Sequence, residues 1–293
     1  MSIPPVIVKQ DIERDVQEFI KFLYRQSPEK QKLVLRTYPD LADAIRQGEE
    51  TGRELVADFV REQYRVHREQ IAILVADMEK QIKTDGIQVL EVLGEVMGYS
   101  WPDGDNGYTV IPTLLPFSPF QQPVFFFSLV RFLRANTQSV ASDYGLTAVL
   151  AHEVSHFIFF DMLNQMPEEI RTKCDKTIKH FAKEILAPII MNDSRLNDIL
   201  HLADYGGNPF LKHITVRRGT KEENIVAFFR AEYEHQHSND MPFATFISYL
   251  IETLFAIRSE IENRHTSWNT HGTALLSDTK LKSQYCEPIE IKN

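Results

Sequence analysis

The sequence predicts an α+β fold that is mostly helical, and three observations carry that expectation. Apolar residues recur at helical spacing from residue 10 to about 95. Two short runs rich in β-formers, Tyr108 to Leu115 and Val124 to Val130, then follow a turn-rich break. Helical spacing returns at Thr147 and continues to Ile261. A chain of 293 residues holds one large domain or two modest ones. The expected divisions are an N-terminal helical region over 1–100, a domain over 101–265 that contains both β runs, and a loosely ordered tail over 266–293.

In the first region, Ile12, Val16, Phe19, Ile20 and Leu23 follow helical spacing. Ser27-Pro28-Glu29 reads as a cap, a first-turn proline and an acidic first turn. Leu55, Val56, Phe59 and Val60, then Ile71, Leu74, Val75, Met78 and Ile82, continue the pattern. Charged residues between them form a solvated face, and no repeat of fixed period is present. These helices are a scaffold or a recognition module. Trp101-Pro-Asp-Gly-Asp-Asn-Gly107 is the break. Pro116 to Pro123 separates the two β runs, which suit either an edge strand that receives an extended substrate backbone or a core hairpin.

Beyond the central helix, Pro167-Glu168-Glu169 opens another, with Ile170, Cys174, Ile178, Phe181 and Ile185 on its stripe and an end near Pro188. Tyr205-Gly-Gly-Asn-Pro209 is a loop. Thr220-Lys-Glu-Glu223 has the form of a capping box opening a helix to about His237. Phe243 to Ile261 is a further amphipathic helix, and from Thr266 the chain becomes polar.

Composition excludes several classes. Hydrophobic residues make up 43% and charged residues 25%, as in ordinary globular chains. A net charge of −9 argues against a nucleic-acid surface, which needs clustered Lys and Arg. The start MSIPPVIVKQDIERD lacks a secretory pattern. The uncharged run Asn106 to Val130 could span a bilayer by length, but Pro112, Pro116, Pro119 and Pro123 argue against a membrane helix. Two cysteines, Cys174 and Cys286, suit a reducing compartment, so a cytoplasmic placement is expected.

Chemistry concentrates in Thr147-Ala-Val-Leu-Ala-His152-Glu153-Val-Ser-His156-Phe-Ile-Phe-Phe160. Residues four apart share a helix face, so His152 and His156 present two imidazoles to one point, with Glu153 beside them. Two imidazoles and one further ligand form an open zinc site in which a nearby carboxylate can deprotonate water. Ala148, Ala151 and Ser155 form a small-residue strip, and Phe157 to Phe160 leave almost no polar face, so the helix is central.

The H-E-x-x-H pattern and its flanks Val149, Val154, Ser155 and Ile158 resemble the zincin metallopeptidases. The resemblance covers about residues 105–190. It implies a small sheet ahead of the motif helix, Zn2+ as cofactor, His152 and His156 as ligands and Glu153 as general base. The metzincin pattern needs a third histidine six residues after His156, where Met162 stands. The resemblance is therefore to the gluzincin branch, whose third ligand is acidic and comes from a later helix. Glu184 in His180-Phe-Ala-Lys-Glu-Ile-Leu-Ala-Pro188 is the chosen ligand, with Asp175 and Glu232 as alternatives. Familiar gluzincins surround that glutamate with polar partners, whereas Glu184 has Lys183 and apolar neighbours. The segment 181–188 is also similar to a helix of regulatory zinc peptidases that act on repressors, whose ligand lies nearer the position of Asp175.

The expected function is zinc-dependent hydrolysis of a peptide or protein substrate. Tyr233, His235 or His237 would stabilise the oxyanion, and Cys286 is a candidate latency ligand. Two alternatives remain open: a zinc-binding regulatory or interaction protein with a vestigial peptidase site, and a zinc hydrolase acting on a non-peptide substrate.

Overall fold

The structure is a computed structural model that describes residues 3–26, 28–102, 104, 107–141, 144–202, 204–272 and 287–291. It is α+β and mostly helical, with two small mixed sheets. The chain forms two compact units, residues 1–90 with 101–153 and residues 91–100 with 154–293. This division differs from the one expected from composition. Residues 1–90 share a unit with the strands that follow the break, and residues 91–100 belong to the other unit.

In the first unit, strand β1 (Val6–Val8) leads into α1 (Ile12–Tyr24), which Asp11 caps by accepting from the Arg14 N–H at 3.0 Å. Helix α2 (Pro28–Thr37) starts at its proline, as expected; Ser27, the expected cap, lies outside the described residues. Helices α3 (Ala42–Arg46), α4 (Gly48–Val66) and α5 (Arg68–Gln81) follow, with a π-helical turn at Ile82–Gly86; α6 (Ile87–Val96) begins in this unit and ends in the other. Glycine is required at position 52, where a Cβ would meet the Tyr24 hydroxyl at 2.1 Å and the Ala44 carbonyl oxygen at 2.2 Å. That space is filled by the Tyr24 hydroxyl donating to Ala44 at 2.9 Å.

Both β runs form strands, β2 (Tyr108–Thr113) and β4 (Val124–Ser128), with the short β3 (Phe120–Gln121) between them in sequence. The sheet order is β1-β2-β4-β3. The expected edge strand and core hairpin are both corrected here. β2 and β4 pair in parallel, Thr109 opposite Val124 through Thr113 opposite Ser128, and each has neighbours on both sides. Parallel neighbours need a crossover. Here β3 carries the chain back antiparallel along the outer side of β4, so the short connection 114–123 suffices. Interior strands are covered on both faces and read as continuous apolar runs. Phe125, Phe126 and Phe127 are all buried, each contributing about 1.5–3 kcal/mol of burial. Within the proline-rich run, residues 107–129 are thus sheet and loop. Helix α7 (Val130–Ala135) leads toward α8 (Leu146–Gln165), which carries the histidine motif and crosses from the first unit into the second.

In the second unit, the single helix expected over 167–188 is two: α9 (Glu168–Lys173) and α10 (Lys176–Met191). Asp175 breaks the run by capping α10, its carboxylate accepting from the N–H groups of Thr177 at 2.9 Å and Ile178 at 3.0 Å. Helix α10 passes through Pro188 instead of ending there. After α11 (Ser194–Leu200), the expected capping box at Thr220–Glu223 is a hairpin between β5 (Thr215–Arg218) and β6 (Lys221–Asn224). Gly219 at φ +60° and Thr220 form its two-residue loop, the arrangement of a type II′ turn. Asn224, not Thr220, caps α12 (Ile225–His237), accepting from Val226 at 2.9 Å. The expected helix 243–261 is divided at Ile257 into α13 (Phe243–Ala256) and α14 (Arg258–His271). The C-terminal stretch is not loose throughout: β7 (Ile289–Glu290) adds in parallel to β5, with Ile289 buried and the Ile291 N–H donating to Arg217 at 2.8 Å.

Among the described residues, one helix is long and apolar enough to cross a membrane, and it is α8. Of its most apolar window, 67% is buried inside the protein, as in the core helix of a globular unit.

Candidate metal centre

Helix α8 is apolar on nearly every side, so its polar residues stand out by contrast. Ala148, Ala151, Val154, Phe157, Ile158 and Phe159 are buried, as the small-residue strip and the aromatic run require. Within this wall, Glu153 is 5% exposed, His156 is 1% exposed and Ser155 is 2% exposed, while His152 is half-buried. One donor atom from each of His152, Glu153 and His156 lies within 4.8 Å of the other two. The i, i+1, i+4 spacing alone accounts for this convergence, because a turn of helix returns the chain to the same face after 3.6 residues.

The donor set suits a metal. Imidazole nitrogen and carboxylate oxygen are zinc ligands at about 2.0–2.2 Å, which in tetrahedral geometry places neighbouring donors about 3.3 Å apart. Donors already within 4.8 Å need only small rotamer adjustments to reach that spacing. Burial of Glu153 and His156 adds a low-dielectric surrounding, in which a carboxylate and a cation attract strongly.

The remaining sequence-selected residues lie outside this cluster among the described residues. Asp175 is the cap of α10 and pairs with Arg258 at 2.6 Å. Glu232, which an apolar helix face obliges to find a partner, finds Arg218 at 3.4 Å and accepts from Gln236 at 3.3 Å. Glu184 lies on α10 and forms an ion pair with Lys183, both side chains being mostly buried at 15% and 11% exposure. Pro188, one turn later, has no N–H to donate to the Glu184 carbonyl.

Of the three oxyanion candidates, His235 and His237 are exposed. The Tyr233 hydroxyl is buried and has no hydrogen-bond partner among the described residues, and burial raises its pKa. Its ring stacks on His237, with centroids 5.7 Å apart. Cys174 is buried and its thiol is pushed up to about 11 by burial, so it is inert as a nucleophile. Cys286 lies outside the described residues.

Sequence reasoning missed a second polar centre, in the first unit. Asp15 on α1 is fully buried and accepts from the Thr113 hydroxyl, the Leu114 N–H at 2.9 Å and the Tyr64 hydroxyl at 2.9 Å. Tyr64 also contacts the Pro112 carbonyl at 3.0 Å, so one carboxylate ties α1, α4 and the end of β2 together. Burial raises the Asp15 pKa to about 6 despite those three donors, with Glu18 adding to the rise. The signal was present: Asp15 precedes Phe19 by one turn on the apolar stripe of α1, where a carboxylate demands partners.

Comparison with protein-family models, with curated proteins and with solved structures found no match for this chain.

Proposed function

We propose that the chain is a zinc-dependent hydrolase of peptide bonds, of gluzincin type, acting on a peptide or protein substrate in the cytoplasm. One observation carries the reading: two imidazoles and a carboxylate converge within 4.8 Å on a buried helix, in the order His-Glu-x-x-His. When bound, zinc supplies Lewis-acid polarisation of the scissile carbonyl and lowers the pKa of water. His152 and His156 are its imidazole ligands. Glu153 is the general base: its carboxylate takes a proton from the attacking water and returns it to the leaving amine. The reading takes Glu184 as third ligand because Asp175 and Glu232 each have an arginine partner. Glu184 pairs with its own neighbour Lys183, whose four-carbon stem is easily turned aside.

A second reading, a zinc-binding regulatory or interaction protein with a vestigial peptidase site, is favoured by the shortness of β3. That edge strand offers two residues for pairing with an extended substrate.

Replacement of the base separates the two. Glu153→Gln keeps both imidazoles and removes the proton acceptor. It is expected to retain zinc, measured by metal analysis, and to lose peptide cleavage by about 100-fold or more. Cleavage at near wild-type rate in the zinc-loaded variant would remove Glu153 from its role. A wild-type protein that holds zinc but cleaves no peptide supports the regulatory reading.

A further inference from the structure

The second unit contains a cavity of about 420 Å³ whose lining carries four charged side chains, Asp204, Lys212, Arg230 and Glu234. Its apolar wall includes Pro188, Val226 and Ala231. Hydrogen bonds tie the lining together. The Asn224 side chain donates to the carbonyls of Leu211 at 2.9 Å and Lys212 at 3.1 Å, which joins the 3-10 turn Leu211–His213 to the start of α12. Glycine at 206 leaves room for the Lys212 ammonium against the loop backbone, since a Cβ there would lie 2.3 Å from its Nζ. A cavity of this size is within the range of small-ligand sites.

The four charges lack ionic partners. Elsewhere in this unit Arg195, Arg217, Arg218 and Arg258 each pair with a carboxylate. Asp204, Lys212, Arg230 and Glu234 form no ion pair among the described residues. Arg230 and Glu234 stand four apart on α12, a spacing that lets opposite charges meet, yet they do not pair. Arg230 is half-buried. Its Nη2 donates to the Pro188 carbonyl at 3.3 Å, and its Nε is buried with no hydrogen-bond partner among the described residues. A guanidinium partly withdrawn from water without a carboxylate is costly, and a ligand carboxylate relieves that cost. Two cations and two carboxylates in one cavity match a ligand with one charge of each sign. Arg230 and Glu234 leave α12 about 6 Å apart along its axis. An extended dipeptide spans at most about 7 Å between its ends, and a single amino acid about half of that.

We infer that this cavity binds a free dipeptide as a zwitterion, with Arg230 and Lys212 holding its carboxylate and Asp204 and Glu234 its ammonium group. The inference stands apart from the hydrolase reading, because the cavity is lined by none of His152, Glu153, His156 and Glu184.

Calorimetric titration of the full chain tests this with Ala-Leu, its N-acetyl derivative, its C-terminal amide and free leucine. Wild type and Glu153→Gln are run in parallel, so that heat of any cleavage is separated from heat of binding. Ala-Leu is expected to bind about tenfold tighter than either blocked form and than leucine, with the difference shrinking at high salt. Arg230→Gln is expected to weaken Ala-Leu about tenfold and to leave binding of the amide unchanged. Glu234→Gln is expected to weaken Ala-Leu about fivefold and to leave the acetylated form unchanged, Asp204 still holding part of the ammonium. Unchanged binding of the blocked form shows that each variant keeps its cavity, and thermal melts identify any that fails to fold. No binding of Ala-Leu at about 10 mM overturns the inference. Equal binding of Ala-Leu and both blocked forms overturns it as well, and equal binding of leucine overturns the dipeptide assignment. Undiminished affinity in folded Arg230→Gln and Glu234→Gln places the peptide elsewhere, the histidine motif included, and also overturns it.

Discussion

Asp15 makes a quantitative prediction about stability. Its carboxyl is fully buried, and burial raises its pKa from 3.8 to about 6. A carboxyl with a raised folded pKa binds its proton more tightly in the native state than in the unfolded chain. Its contribution is therefore present in full below about pH 3.8 and is lost as pH rises through about 6. A difference of about 2.2 pK units corresponds to about 3 kcal/mol, of which about 2 kcal/mol falls between pH 4.5 and pH 7. Other carboxylates act in the opposite sense. Asp11, Glu13, Glu49 and Glu62 have lowered pKa values through hydrogen bonds to Arg14, Arg61, Arg25 and Arg65, and they lose stability as pH falls. The Asp15 effect is isolated by subtraction. Urea denaturation of wild type and Asp15→Asn across pH 4.5–7 should give stability differences that change by about 2 kcal/mol, wild type gaining relative to the variant at low pH. Parallel profiles would mean that Asp15 is not protonated in this range, and that its three donors outweigh its burial.

Four further substitutions have expected outcomes. Asp175→Ala should lower stability by about 1 kcal/mol through the lost cap of α10 and leave zinc affinity unchanged, and Glu232→Ala should leave zinc affinity unchanged as well. Glu184→Ala should weaken zinc binding at least about tenfold in a competitive chelator titration, and wild-type affinity there would remove Glu184 as third ligand. Gly52→Ala should cost about 2 kcal/mol or more in thermal unfolding, because the new methyl meets the Ala44 main-chain carbonyl and the Tyr24 hydroxyl. A change below about 0.5 kcal/mol would mean that α3 and α4 move apart easily.

What the sequence determined by itself is local. The His152–Glu153–His156 convergence needs only helical periodicity, and the apolar run around it was enough to make α8 a buried helix. Both strand runs, the helices of the first 95 residues and the proline start of α2 were legible for the same reason: each is written in side chains a few positions apart. Errors gathered where a short polar segment had two local solutions. Thr220–Glu223 spells a capping box, yet Arg217 opposite Glu222, donating to its carboxylate at 2.8 Å, and the turn at Gly219 draw the segment into a hairpin. Asp175 reads as a surface carboxylate inside one helix, yet it ends one helix and begins the next, since its oxygen satisfies two N–H groups that a continuous helix would bond to carbonyls.

Only tertiary structure decided the partners across long separations. Val6–Val8 is a run of three β-branched residues, too short to name its partner; the open side of β2 completes its hydrogen bonds and turns the expected edge strand into an interior one. Asp15 meets Thr113 and Leu114 across nearly a hundred residues, and Glu232 meets Arg218 through a hairpin that had not been foreseen. Ile289 returns to β5 from the far end of the chain. A carboxylate or a strand edge states in sequence only that it needs a partner, because desolvation is costly whatever relieves it. Which partner relieves it depends on which elements the hydrophobic core brings together.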